Sequence, residues 1–177
     1  RKFIDSSVSQ LYPRYLTSLI DYHKALGQKN SLLKVLRAKG AKSDMMLSVW
    51  NEQLAAEGEK IIKYRTDFVK LINNFSAAIQ NEISGEKLQI SYMPGMRASG
   101  DDKNSIYEYL EKNQRREIDL ASAQVGVQRD DLHITINGSV GENLRLTRST
   151  AYICTVNENC TSRLHSSHKK RISDTSA

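Results

Sequence analysis

The chain has 177 residues and a formal net charge of +6, long enough for one domain with a core of its own. It has no apolar run that could span a membrane, no secretory signal, and only two cysteines, both after residue 150. Nothing therefore suggests a disulfide framework, and an intracellular, cytoplasmic setting is the default. Six Lys/Arg and two acids fall in residues 145–177, so the body is only mildly basic and charge alone does not make it a nucleic-acid binder.

The chain opens at Arg1, inside what reads as an element already under way, as expected of a fragment. Ser9–Pro13 reads as a helix start, with Pro13 tolerated in the first turn. Leu19, Leu26 and Leu33 then recur every seven residues, flanked by Leu16, Ile20 and Leu36, which predicts a long amphipathic helix. Residues 38–43 break it, and Ser43 or Asp44 can cap a second helix running to Ser84. There Leu54, Ile61, Phe68 and Phe75 recur at seven, with Tyr64, Leu71 and Ala78 beside them and Val49 and Trp50 upstream. Heptads on both helices predict an antiparallel arm, although an ordinary helical-bundle core fits the pattern equally well.

After Gly85 the period falls to two. Leu88, Ile90 and Tyr92 predict a strand. A Gly- and Asp-rich loop leads to a third helix from Ser105 to about Leu120, with Ile106, Leu110, Asn113 and Ile118 on one side and Gln114–Glu117 as a solvated face. Leu132, Ile134 and Ile136 alternate with His133 and Thr135. Asn137-Gly138 then signals a hairpin into a third strand near Ser139–Leu144. The fold class expected is α+β, a mostly helical arm with a few strands. Its parts are an arm over 1–85, an α/β segment over 86–144 and a patternless tail over 145–177.

No glycine is followed by lysine, so a G-x-x-x-x-G-K-[ST] phosphate loop is absent. Asp130-Asp131 precedes a strand rather than ending one, unlike the acids that hold Mg²⁺ in nucleotide sites. His23 falls between Leu19 and Leu26 and reads as a partly buried packing residue, while His133 reads as exposed. No Ser/His/Asp or Cys/His set stands out, and no catalytic residue is assigned. Lys60, Lys63, Arg65 and Lys70 on the second helix could touch phosphates, or be no more than its wet face. In the tail, Cys154, Cys160, His165 and His168 are spaced unlike any common zinc module, so no metal site is assigned.

Several stretches together resemble the RecF family of DNA replication and repair proteins. Arg1-Lys2-Phe3-Ile4-Asp5 is similar to the family's R-R-F-[IL]-D. Ser9–Leu16 and Tyr22–Leu33 resemble its first arm helix, and Trp50–Ala55 with Gly58 and Ile61-Ile62 resembles the second. Glu82–Gly85 precedes the strand as in the family. Gly126-Val127-Gln128-Arg129-Asp130-Asp131-Leu132 resembles G-P-H-R-D-D-L, with Val-Gln in place of Pro-His. Gly126, Arg129, Asp130 and Asp131 are its matching positions.

The resemblance covers about residues 1–144. It implies an ABC-type ATPase head like those of SMC and Rad50 proteins, with a short helical arm. ATP and Mg²⁺ would be the cofactors of the intact family, and an ATP-dependent homodimer its assembly. Single-stranded and gapped duplex DNA and recombination mediators would be its partners, in recombinational gap repair and SOS induction. For this chain alone no cofactor and no ATPase activity are expected, because the phosphate loop, the signature and the Mg²⁺-site strand are missing.

The family signature, close to F-G-S-Q-G-Q-Q-R-T-x-A, should follow Leu132 and does not. Yet Leu144–Thr155, back-translated and read one base later, encodes F-G-S-Q-G-Q-Q-R-T-S-A, and Arg171–Ala177 becomes V-Y-P-I-L-L-L. The middle base of each codon, which the amino acid nearly fixes, matches the first base of the shifted codon at every position through the signature. The tail is therefore expected to be an out-of-frame translation. The alternative is a helical interaction scaffold whose basic tail binds nucleic acid or zinc.

Overall fold

The computed structural model describes residues 2–96 and 100–140. The tail expected from 145 onward, with Cys154, Cys160, His165, His168 and the shifted-frame segment, lies outside them.

The fold is α+β. Among the described residues four helices run α1 (Lys2–Leu11), α2 (Pro13–Lys39), α3 (Met45–Ser84) and α4 (Lys103–Leu120), with strands β1 (Leu88–Met93), β2 (Asp131–Ile136) and β3 (Ser139–Val140). The chain forms two compact units. One comprises Arg1–Thr66 with Met93–Asp131, the other Asp67–Tyr92 with the residues from Leu132.

In the first unit, α1 and α2 are separated by a single residue. Pro13 has no N–H to donate and forces the residue before it out of the helical region; Tyr12 accordingly sits at φ −131°, ψ 93°, and Pro13 opens α2. Gly40 closes that helix in a left-handed turn at φ +63°, its N–H on the carbonyls of Arg37 and Leu36. Asp44 then accepts from the Met46 N–H at 2.7 Å at the start of α3. Leu33 and Leu36 near the end of α2 share a cluster with Leu47 near the start of α3, while Tyr15 and Tyr64 meet 5.9 Å apart at the other end. Within this unit the two helices therefore run antiparallel, as the heptads predict.

The buried row of α2 meets the leucine row only at the end of the helix, at Leu33 and Leu36. Tyr15, Ser18, Tyr22, Ala25, Lys29, Leu33 and Leu36 are buried, whereas Leu19 and Leu26 are half-buried and Leu16 and Ile20 exposed. Polar residues can occupy this row because partners on α3, α4 and the 121–131 segment satisfy them. His23, expected to pack on the leucine row, is exposed and presents its ring edge-on to Tyr22. On α3, Leu54, Ile61 and Phe68 are buried, but Phe75 and Val49 are exposed. Helix α4 starts at a true cap, with the Asp102 carboxylate accepting from the Ser105 N–H. Its Arg115 and Arg116 are solvated as expected, but Glu117 is fully buried.

In the second unit, Phe68, Val69 and Ile72 are buried on α3, and Leu88 and Ile90 on β1. Asn73 accepts from the Ile90 N–H at 2.6 Å. Asn137 joins the start of the strand by two bonds, its Oδ1 on the Lys87 N–H and its own N–H on the Lys87 carbonyl. The sheet order is β1-β2-β3. Strands β2 and β3 are antiparallel, with Thr135 opposite Val140 and Ile136 opposite Ser139. Asn137 and Gly138 both take positive φ, as a two-residue hairpin turn requires. Strand β2 lacks the expected alternation: Leu132 to Ile136, His133 included, are all half-buried.

Candidate functional site

The residues 121–131 carry the Gly-x-x-Arg-Asp-Asp stretch, and side chains of the first unit hold them almost residue by residue. Asn30 accepts from the Ala123 N–H at 2.7 Å. Glu117 Oε1 accepts from the N–H groups of Gln124 and Val125, while its other oxygen meets Lys29 Nζ at 2.6 Å. The Tyr22 hydroxyl accepts from the Val127 N–H and donates to Gln128 Oε1. The chain then makes one 3-10 turn, Val127–Arg129.

Arg65 is the centre of this arrangement, with 1% of its surface exposed. Its Nε donates to the Tyr15 hydroxyl at 3.0 Å and one terminal nitrogen to the Val127 carbonyl at 2.8 Å. That nitrogen also meets Asp130 Oδ2, and the other meets Asp5 Oδ1 at 2.8 Å. Asp5 in turn accepts from the Tyr15 hydroxyl, and Asp130 Oδ1 from the Gly95 N–H at 2.7 Å. Such a planar fork can satisfy several acceptors at once, which an ammonium cannot. Burial pushes the Tyr15 and Tyr22 phenols above their ordinary range, the Arg65 charge pulling back on both. Burial alone would weaken the Arg65 proton; Tyr15, Asp130 and Asp5 more than offset it and lock the guanidinium in its charged form.

Two glycines make the close packing possible. Gly126 stands at φ +136°, and a Cβ there would collide with the Tyr22 hydroxyl and the Gln128 amide. Gly95 lies against the Arg129 backbone, with a notional Cβ 2.5 Å from the Arg129 carbonyl carbon.

The sequence-assigned cations separate. Lys60, Lys63 and Lys70 are exposed on α3, with Lys60 paired to Glu57 at 2.7 Å. Arg65 is a correction: it is a core group with every nitrogen occupied inside the fold and no surface to offer a phosphate. The stretch 126–131 also divides. Gly126 and Asp130 are buried, and Arg129 and Asp131 are exposed. Sequence reasoning missed Asp5, Tyr15, Tyr22, Lys29 and Glu117. The available signal was the row of polar side chains at 15, 18, 22 and 29, at helical spacing and offset from the leucines. Among the described residues no group of three or more His, Cys, Asp or Glu is placed to hold a metal, and no helix is long and apolar enough to cross a membrane.

No family model matches the chain. It is similar to the DNA replication and repair protein RecF of Clostridium perfringens (strain 13 / Type A), 34% identical over 139 residues, 77% of this chain and 37% of the relative. RecF of Streptococcus suis (strain 05ZYH33) is 37% identical over 143 residues, 78% of this chain and 38% of the relative. A solved structure of the recombination mediator protein RecF with ATP, of the RecFOR pathway, superposes with a TM-score of 0.87 at 26% identity, covering 96% of this chain and 47% of that one. A second, RecF-ATPrS, gives 0.85 at 28% identity, covering 95% and 46%. The chain thus spans under two fifths of the length of these two RecF relatives and just under half of the solved chains. Sequence and fold agree: the chain belongs to the RecF family.

Proposed function

We propose that the chain is a RecF-type DNA-binding segment, contributing the helical arm and the connection into the head of a protein that works on DNA in replication and recombinational repair. The observation that carries this reading is the superposition on RecF with ATP across nearly the whole chain. Residues 1–85 would serve as arm and 86–144 as the adjoining head segment. The exposed Lys60, Lys63 and Lys70 would contact backbone phosphates without regard to base sequence. Gly126, Arg129, Asp130 and Asp131 would set the entry into the strand that leads to the family signature. In the intact protein ATP with Mg²⁺, an ATP-dependent homodimer, recombination mediators and a cytoplasmic setting would complete the picture. The 177 residues alone would not hydrolyse ATP, since no phosphate loop is present in the sequence.

Fluorescence anisotropy with labelled single-stranded and gapped duplex oligonucleotides tests the reading. Salt-dependent binding to either DNA is the expected result, and no binding at low salt would overturn it. Sequencing the gene across codons 140–177 tests the out-of-frame tail. Codons that fail to encode the signature one base over would end that part of the proposal.

A further inference from the structure

Resting on the DNA-binding reading, we propose that the cleft at the turn between α2 and α3, rimmed by Arg37, Lys42 and Arg115, seats the sugar-phosphate backbone of DNA. The cleft has a volume of about 170 Å³ and lies where α2 ends opposite the last turns of α4. Its floor is Ile118, packed in the same cluster as Leu33, Leu36 and Leu47. The left-handed turn at Gly40 swings the chain round so that Lys42 shares a rim with Arg115 of α4.

Charge distinguishes this cleft from the lysine-bearing face of α3. Arg37, Lys42 and Arg115 are exposed, and none belongs to an ion pair among the described residues. Ser31–Ser43 contains four cations and no acid. The lysines of α3, by contrast, are interleaved with Glu57, Glu59 and Asp67.

Two groups oppose an anion. One is Asp119, the only carboxylate on the lining. The other is the pair of helix C-termini, whose carbonyls carry partial negative charge. Two carbonyls at each end are occupied: Gly40 and Ala41 donate back to Arg37 and Leu36, and Ala121 and Ser122 to Ile118 and Glu117. A ligand would therefore meet two guanidinium forks and an ammonium against a single carboxylate, over an apolar floor. Arginine forks match phosphate oxygens in pairs, and the floor offers a surface for the sugar.

The test is DNA affinity of the 177-residue chain against salt, between about 50 and about 300 mM KCl, comparing the parent with Arg37→Glu/Arg115→Glu, Lys42→Ala and Asp119→Asn. All four positions are exposed, and circular dichroism checks that each variant is folded. Each lost phosphate contact should lower the slope of log affinity against log salt by about one. The double variant should therefore lose about two in slope and about tenfold or more in affinity at about 0.1 M salt. Lys42→Ala should lose about one in slope. Asp119→Asn should bind more tightly than the parent, a gain that no purely structural role predicts. If the parent binds DNA and the double variant keeps its affinity and slope, the cleft proposal is overturned while the DNA-binding reading stands. A parent that does not bind DNA overturns both.

Discussion

Lys29 and Glu117 meet at 2.6 Å with neither side chain exposed to solvent. They join α2 to α4, and Glu117 Oε1 also takes the backbone of Gln124 and Val125. Glu117 is thus both the counter-ion of a buried lysine and the cap of the segment that follows its own helix.

Removing one partner of such a pair leaves an uncompensated buried charge. Glu117→Ala should cost about 3–5 kcal/mol in urea unfolding. The double Lys29→Met/Glu117→Gln removes both charges and keeps an oxygen for Gln124 and Val125, so it should recover most of that loss. A double variant as unstable as the single would show that the charges themselves contribute net stability.

Arg65→Lys should fail to rescue Arg65→Met. One ammonium cannot reach Tyr15, Val127, Asp130 and Asp5 together. Both variants should lose about 3 kcal/mol or more in chemical unfolding: the methionine leaves two carboxylates without their counter-charge, and the lysine keeps the charge but leaves buried acceptors unsatisfied. Wild-type stability in Arg65→Lys would refute the fork geometry as the cause.

Helices α2, α3 and α4 and the hairpin turn were legible because they rest on local rules, whereas α1 was not, Ser9 lying inside it rather than at a helix start. Pro13 opens α2, Gly40 ends it, Asp44 precedes α3, and Asn137-Gly138 turns. The polar core was not legible. Whether Lys29 or Arg65 lies on the wet side or the dry side depends on a counter-ion 88 or 65 positions away in sequence, and no periodicity within one helix encodes that. Leucines at seven marked the wrong row before Leu33 for the same reason: Tyr and Lys win the inner positions once partners exist for their polar ends. Phosphate-contact residues stayed half legible, since exposure separates Lys60, Lys63 and Lys70 from Arg65 but sequence charge does not.

Alkaline pH should unfold the protein through its tyrosines. Tyr15 and Tyr22 are held above their ordinary range near 10 by burial. The folded state therefore retains protons that the unfolded chain gives up as pH rises past about 10. Their contribution is complete below that pH and is lost progressively above it. Absorbance at 295 nm should show two of the eight tyrosines titrating only together with loss of circular dichroism. Eight tyrosines titrating freely near 10 in a folded protein would contradict this.

Gly126→Ala should be among the most damaging single substitutions, through a strained φ and collision with Tyr22 and Gln128. Thermal denaturation should place it at least about 2 kcal/mol below wild type. Gly27→Ala, at a helical site with open space around it, should instead gain a few tenths to about 1 kcal/mol. Equal effects at the two positions would be incompatible with the packing described.

The clasp of the 121–131 segment by Tyr22, Asn30 and Arg65 sets an order on synthesis. Helices α2 and most of α3 leave the ribosome with a lysine, an arginine and two tyrosines on the faces they will later bury. Nothing neutralises Lys29 until Glu117 has been made, and nothing completes the Arg65 shell until Asp130 has. The arm hairpin should thus remain a loose nascent intermediate through the elongation that follows Arg65 and close only once Asp130 has itself emerged from the ribosome.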